Sequence, residues 1–221
     1  MPKRQIGVIG LGNFGAAVAR TLARRGTQVV CVDRDMDKVQ AIKDDVTHAV
    51  QADATDEQAL RAVGMAETDT VVISLGQDVA MSLLAAMVIQ ELGVPHLVAK
   101  AVNPLHARLL SKLGVERVVF PEQDMGRRVA DLLLAPRMID HLELAEGFAI
   151  DEIVPPDHFV GRSIRELDVR SRYGVTIVAI RRTHRERGDP EFLVNPAGDE
   201  GIRRDDILVV IGATTDLEKL R

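Results

Sequence analysis

The 221-residue chain has no Trp, one Tyr and five Phe, so aromatics make up only 3% of it. Its core must therefore be built from Val, Ile, Leu and Ala, which suits a parallel sheet covered by helices on both faces. So few aromatics also leave single-stranded nucleic acid little to stack on. A basic surplus is missing too: 28 Lys plus Arg face 33 Asp plus Glu, a formal net charge of -5. That balance lacks the electrostatic footprint of a non-specific nucleic-acid binder, so no nucleic-acid partner is expected. Cysteine is limited to Cys31, which excludes an internal disulfide framework and a thiolate cluster within one chain and fits a reducing cytoplasm. No apolar run is long: Ala80 to Ile89 is interrupted by Ser82 and falls far short of the roughly 20 residues that span a bilayer. The opening MPKRQIGVIG runs directly into a strand-like pattern without the h-region of a signal peptide, so no cleaved leader is expected.

What is present is 46% hydrophobic and 28% charged, the composition of a globular protein. Residues 5 to 120 alternate short Val- and Ile-rich runs with helical patterns. Strands are predicted at Gln5 to Ile9, Gln28 to Val32, His48 to Ala52, Thr70 to Ser74, His96 to Ala101 and Arg117 to Phe120. Helices are predicted at Phe14 to Arg25, Asp37 to Lys43, Asp56 to Val63, Val79 to Leu92 and Pro104 to Leu113. Such alternation predicts an α/β fold with a doubly wound, Rossmann-type parallel sheet. A single amphipathic helix follows over Glu122 to Met138, with Met125, Val129, Leu132 and Leu133 on one face. A second unit then carries strand patterns at Phe148 to Val154, Val175 to Arg181, Glu191 to Val194 and Ile207 to Gly212. A short helix near Ser163 to Leu167 and turn signals such as Gly161, Gly174, Gly188 and Pro196 complete it. This predicts a small mixed sheet with one or two helices. The expected division is 1–121 for the Rossmann domain, 122–140 for a linker helix and 141–221 for a small α/β lobe. Through Met138 the charges balance at 16 against 16, so the acidic excess, 12 against 17, lies in the second unit.

The strongest chemical signal is Gly10-Leu11-Gly12-Asn13-Phe14-Gly15, placed after a strand and opening a helix. Gly10 permits a tight turn, Gly12 lets backbone approach a phosphate, and Gly15 allows helix to pack on strand. The helix N-terminus then offers unsatisfied amides and partial positive charge to an anion. Asp33 ends the second strand, placed to accept hydrogen bonds from the hydroxyls of an unphosphorylated ribose, with the adjacent Arg34 as a nearby cation. The other reading of Asp33 is a helix cap before Met36. Lys100 and Asn103 end the fifth strand, at the edge where ligands bind such sheets, and strand-end polarity is their alternative reading. The six histidines, His48, His96, His106, His141, His158 and His184, show no metal-ligand pair at close helical spacing. Most read as surface or structural residues, so binding without turnover is expected, against the alternative of a small NAD-dependent oxidoreductase.

Several segments resemble a known family. The GLGNFG turn, Asp33, the run His48 to Thr55 that includes Asp53 and Ala54, the run Lys100 to Asn103, and above all Pro121-Glu122-Gln123-Asp124-Met125-Gly126 are similar to KTN/RCK domains of potassium-channel and potassium-transporter regulators. The runs Gly161 to Leu167 and Arg172 to Ile180 resemble the accompanying RCK_C, or TrkA_C, lobe. One copy of each lobe looks like the single-copy gating subunits of Ktr-type uptake systems. The resemblance implies a homodimer that assembles into an octameric ring beneath a membrane-embedded potassium-translocating subunit, peripheral at the inner face of the membrane. The pair is also reused by regulators of other channels and exchangers. It implies a switch driven by exchange of adenine nucleotide, ATP against ADP or NADH against NAD. It further implies a cation, Mg2+, Ca2+ or Na+, held near Glu122, whose alternative reading is a helix-dipole partner. In the C-terminal lobe it implies a cyclic di-AMP site at Ile164, Arg170, Ile177 and Pro196, residues that read otherwise as core and surface. Many Ktr subunits carry Arg where Asn13 stands. A short neutral side chain cannot make the same charge-assisted contact with a terminal phosphate, so the nucleotide is left open among ATP, ADP, AMP and NAD(H).

Overall fold

The computed structural model describes residues 4–76, 78–183 and 190–220. His184, the turn at Gly188 and the first residues of the MPKRQIGVIG run lie outside the described residues. Two compact units separate at Met1–Gln123 and Asp124–Arg221.

The first unit alternates strand and helix: β1 (Gln5–Ile9), α1 (Asn13–Arg24), β2 (Gln28–Asp33), α2 (Met36–Gln40), β3 (His48–Gln51), α3 (Glu57–Ala62), β4 (Thr70–Ile73), α4 (Val79–Glu91), β5 (His96–Lys100), α5 (Pro104–Lys112) and β6 (Arg117–Val119). All six strands are parallel, in the order β3-β2-β1-β4-β5-β6. Every predicted strand and helix of this half is present. Ends shift by one residue, except that α2 stops at Gln40 instead of Lys43. Asp44 and Asp45 would place negative charge at the helix's own negative end, and Asp45 instead takes the Arg20 guanidinium at 2.7 Å.

The Rossmann-type sheet is buried on both faces, as the aliphatic composition requires. One face packs Val30, Val32, Val71 and Ile73 against Ala85, Ala86 and Ile89 of α4 and Leu110 of α5. The other packs Val8, Val29 and Cys31 against Ala19 of α1 and Val39 of α2. At about 25 cal/mol per Å2 of apolar area removed from water, this two-sided burial is the main favourable contribution to the fold. Among the described residues the only fully buried aromatic is Phe159, in the second unit.

A helix, α6 (Pro121–Leu134), follows β6. The predicted span to Met138 is corrected. Pro136 disfavours helical geometry at the residue before it, and Met138 instead begins a strand, β7 (Met138–Ala145), that the sequence reading missed. The second unit continues with β8 (Phe148–Ile153), α7 (Ile164–Leu167), α8 (Val169–Tyr173), β9 (Thr176–Thr183), β10 (Pro190–Val194), β11 (Ile207–Ala213) and α9 (Thr214–Leu217). Its five strands run β10-β9-β11-β8-β7, and every neighbouring pair is antiparallel, so the predicted mixed sheet is also corrected. The sheet neighbours β7–β8 and β9–β10 are also consecutive in the chain, joined by connections too short for the crossover that a parallel pairing needs. A buried ion network fastens β9 to the turn before β11. Arg182 donates to both Asp206 carboxylate oxygens at 2.8 and 2.9 Å, to Glu200 at 2.9 Å and to the Gly201 carbonyl at 3.0 Å.

Candidate functional site

The site begins where β1 turns into α1. Gly10 holds φ 88, a left-handed conformation costly for any residue with a Cβ, and its N–H donates to the Val32 carbonyl at 2.8 Å. Gly15 is required by proximity: a Cβ there would lie 1.9 Å from the Gly10 carbonyl oxygen. Around Gly12 the opposite holds, with nothing within 4 Å of a built Cβ. The first intrahelical bond of α1 runs from the Ala16 N–H to the Gly12 carbonyl, so the amides of Asn13, Phe14 and Gly15 have no partner within the helix. The other long helices of this unit are closed by side chains: Asp78 accepts from Met81 in α4, and Asn103 accepts from His106 in α5. At α1 the cap residue is Gly12, without a side chain, and the first turn has no acidic residue. An anion fits there better than anywhere else on these helices.

Around this turn opens a cleft of about 390 Å3, within the size range of small-molecule sites. It lies at the carboxyl ends of β1 and β4. There the chain order reverses direction across the sheet, leaving a crevice. Of the residues singled out from sequence, Gly10, Gly12, Asn13, Phe14, Asp33, Arg34, Asp53, Ala54, Lys100 and Glu122 line it. Gly15 supports it from behind as a packing residue. Asn103 is not among the lining residues. Its carboxamide is spent on the α5 cap, accepting from the His106 N–H at 2.8 Å.

Asp33 is 7% exposed. One oxygen accepts from the Leu11 N–H at 2.6 Å and the other from the Asp35 N–H at 2.9 Å. It therefore braces the glycine turn against the end of β2, while each oxygen keeps a lone pair for a ribose hydroxyl. The alternative role as helix cap belongs to Asp35, which accepts from Asp37 at the start of α2. Asp53 closes a turn by accepting from the Thr55 N–H at 2.8 Å and hydroxyl at 2.7 Å. Those bonds hold its carboxyl below the ordinary aspartate range, with nearby Arg34 adding a smaller pull. Lys100 donates to Glu122, an ion pair between the end of β5 and the first turn of α6. The Lys100 bond holds the Glu122 carboxyl below its usual range.

Ser74, Leu75, Gly76, Asp78 and Met81 also line the cleft and were missed from sequence, as was Lys38. The available signal was topological: a crossover from β3 past β1 brings the β4 turn beside the glycine turn, as shown by the Ser74 N–H donating to the Ile9 carbonyl at 2.7 Å. No group of three or more His, Cys, Asp or Glu that could hold a metal occurs among the described residues. Within this chain Glu122 is a single carboxylate already engaged by Lys100. In the second unit, Ile177 is in the core at 8% exposure and Arg170 is exposed, while Ile164 and Pro196 are half-buried.

Comparison with known proteins bears on both units. The TrkA-N domain matches residues 6–121 and the TrkA-C domain residues 148–221. Ktr system potassium uptake protein C of Bacillus subtilis is 37% identical over 217 residues, covering 98% of this chain and 96% of the relative. Ktr system potassium uptake protein A of Vibrio alginolyticus is 32% identical, covering 95% and 92%. Among solved structures, the GsuK RCK domain aligns with a TM-score of 0.64 at 21% identity over 98% of this chain and 46% of that one. The GsuK channel bound to NAD aligns at 0.63 with 21% identity, over 97% of this chain and 38% of that chain. The chain thus spans less than half of these structural neighbours, which share its fold.

Proposed function

The chain belongs to the TrkA-N and TrkA-C family, and on that premise we propose that it is a nucleotide-responsive regulatory subunit of a potassium transporter. The observation that carries the nucleotide reading is the uncapped α1 terminus standing over the open space at Gly12, with Asp33 braced beside it. Phosphate oxygens accept from the amides that follow Gly12, the ribose meets Asp33, and Arg34, Lys38 and Lys100 supply cationic side chains to the cleft. When bound, the nucleotide supplies a charged group whose presence one conformation of the protein favours over another; the ligand shifts the subunit only by that difference in affinity.

Residues 1–121 act as the nucleotide lobe and 141–221 as the regulatory lobe. The subunit works as a cytoplasmic homodimer that builds an octameric ring on a membrane-embedded translocator and switches on exchange of adenine nucleotide. The reading is supported by relatives whose names are those of potassium uptake proteins over nearly their full length. No helix among the described residues is long and apolar enough to cross a membrane, so on this reading a partner supplies the pore.

The test is to purify the protein without added ligand, identify any co-purified nucleotide by mass spectrometry, and measure oligomer mass with ATP, ADP, NADH and cyclic di-AMP in turn. Saturable binding of an adenine nucleotide with a change in assembly is expected. A monomer indifferent to all four overturns the proposal.

A further inference from the structure

The acidic residues of the cleft are not equivalent. Asp33 is committed to the backbone amides of Leu11 and Asp35, Asp53 to Thr55, and Asp78 to the Met81 amide that it caps. Glu122 alone among them holds its strongest bond to a side-chain cation of the same cleft, Lys100. The two partners differ in freedom. The Lys100 side chain is 16% exposed and Glu122 68%. The Lys100 stem lies along Gly76, where a built Cβ would meet its Cε at 2.9 Å and its Cδ at 3.2 Å. The ammonium is therefore held in place by its packing, while the carboxylate sits on the solvent side and can turn away.

We propose that Glu122 is an internal competitor of the ligand's phosphate for the Lys100 ammonium: it occupies Lys100 when the cleft is free of anion and must give up that ammonium for an anionic ligand to use it. This rests on the nucleotide reading above and adds its regulation. Each free-energy unit spent separating the pair is subtracted from ligand affinity, so the strength of the Lys100–Glu122 contact tunes how much nucleotide the site requires. An exposed carboxylate suits this role because its pairing is weak enough to be exchanged. Release of Glu122 also leaves its carboxylate unpaired at the first turn of α6, so occupancy of the cleft is reported at the start of that helix.

The experiment is a double-mutant cycle on the full chain, with ADP affinity measured by calorimetry in the presence of EDTA for wild type, K100M, E122Q and the double variant. E122Q is expected to bind ADP about two- to fivefold more tightly than wild type, the range of an exposed ion pair, with adenosine affinity unchanged. K100M is expected to weaken ADP binding more in the E122Q background than in wild type, because only there is the ammonium uncommitted. Equal or weaker ADP binding by E122Q, or K100M effects that are the same in both backgrounds, overturns the competitor role while leaving the nucleotide reading standing. If the wild type binds no ADP, the cycle is run with whichever of ATP or NADH it does bind, and a chain that binds none of the three overturns the nucleotide reading, and this inference with it. Should K100M fail to fold, the E122Q comparison between ADP and adenosine decides alone, since Glu122 is exposed on the first turn of its helix.

Discussion

Gly12 and Gly15 are three residues apart in one motif, yet the geometry predicts opposite consequences for the same substitution. In Gly15→Ala the new methyl would lie 1.9 Å from the Gly10 carbonyl oxygen and 3.1 Å from Ser74 Cβ. Ordinary contact needs about 3.4 Å or more, so something must move by more than an ångström. The obstacle is backbone, and Gly10 is pinned by its own N–H bond to Val32 and its left-handed φ. Overpacking of this kind costs about 1–3 kcal/mol and occasionally more. We take about 3 kcal/mol, or a fall in Tm of roughly 6–12 °C for a chain of this size. In Gly12→Ala nothing lies within 4 Å, and the existing φ of -64° suits any residue. Stability should change by no more than about 1 kcal/mol, the scale of a helix-cap substitution. The methyl does fill the space where phosphate approaches the amides, so ADP affinity should drop at least tenfold, about 1.4 kcal/mol. Thermal unfolding and calorimetric titration of both variants, side by side, give the two readouts. If Gly12→Ala destabilises as much as Gly15→Ala, or binds ADP as the wild type does, the assignment of separate roles to the two glycines is wrong.

Three further outcomes follow from groups outside the cleft or beneath it. Asp206→Ala leaves Arg182 buried without its main partner and should cost about 3–5 kcal/mol by urea unfolding; a loss below about 1 kcal/mol would show that the network is exchangeable with water. Burial pushes the Cys31 thiol up to about 12, so at pH 8 an aromatic disulfide reagent should leave the folded chain unmodified and react once urea unfolds it. Rapid modification of the native protein would contradict the burial of β2. His106 is 1% exposed with neither ring nitrogen hydrogen-bonded, and burial holds its pKa below the ordinary histidine value near 6.5. Below that ordinary value the unfolded chain takes up a proton that the folded chain refuses. Stability should therefore fall as pH drops through 6.5, and go on falling until the folded imidazole itself titrates. His106→Phe should flatten that part of the urea midpoint against pH curve, and an unchanged slope would remove His106 as its source.

The first unit was readable because its signals are local and redundant. Each strand is a short Val- and Ile-rich run, and glycine or proline punctuates helices as at Gly26, Gly93 and Pro104. The second unit gave weaker signals. Strand β7 carries Asp140, His141 and Glu143 among its apolar residues, and irregular register against β8 breaks the simple alternation that marks a strand. The four- and five-residue helices α7, α8 and α9 are too short for a periodic pattern, and of these only α7, with its Ser163–Glu166 capping box, left a sequence trace. At the site, the glycine turn and Asp33 follow from spacing within one βαβ unit. The β4 turn at Ser74 to Gly76 did not, because its place beside β1 depends on strand order. Asn103 carries a related ambiguity: an Asn before Pro104 serves equally as a ligand-edge residue or a helix cap, and only the position of the His106 amide shows the cap.

The parallel arrangement of the first sheet also governs when the cleft can exist during folding. Pairing of β1 with β4 joins residues far apart in the chain, as in the Gln5 bond to Asp69 across 64 positions, whereas β7 and β8 meet through the few residues between Ala145 and Phe148. Closing long loops is entropically costly and slow, so hairpins of the second unit should form ahead of the β1–β4 contact. The part of the cleft wall formed by Ser74, Leu75, Gly76, Asp78 and Met81 is delivered only by that late contact. A ligand that needs both walls therefore recognises only chains that have completed the slow step. Its presence at synthesis would then pull the last folding equilibrium forward without speeding the search that precedes it.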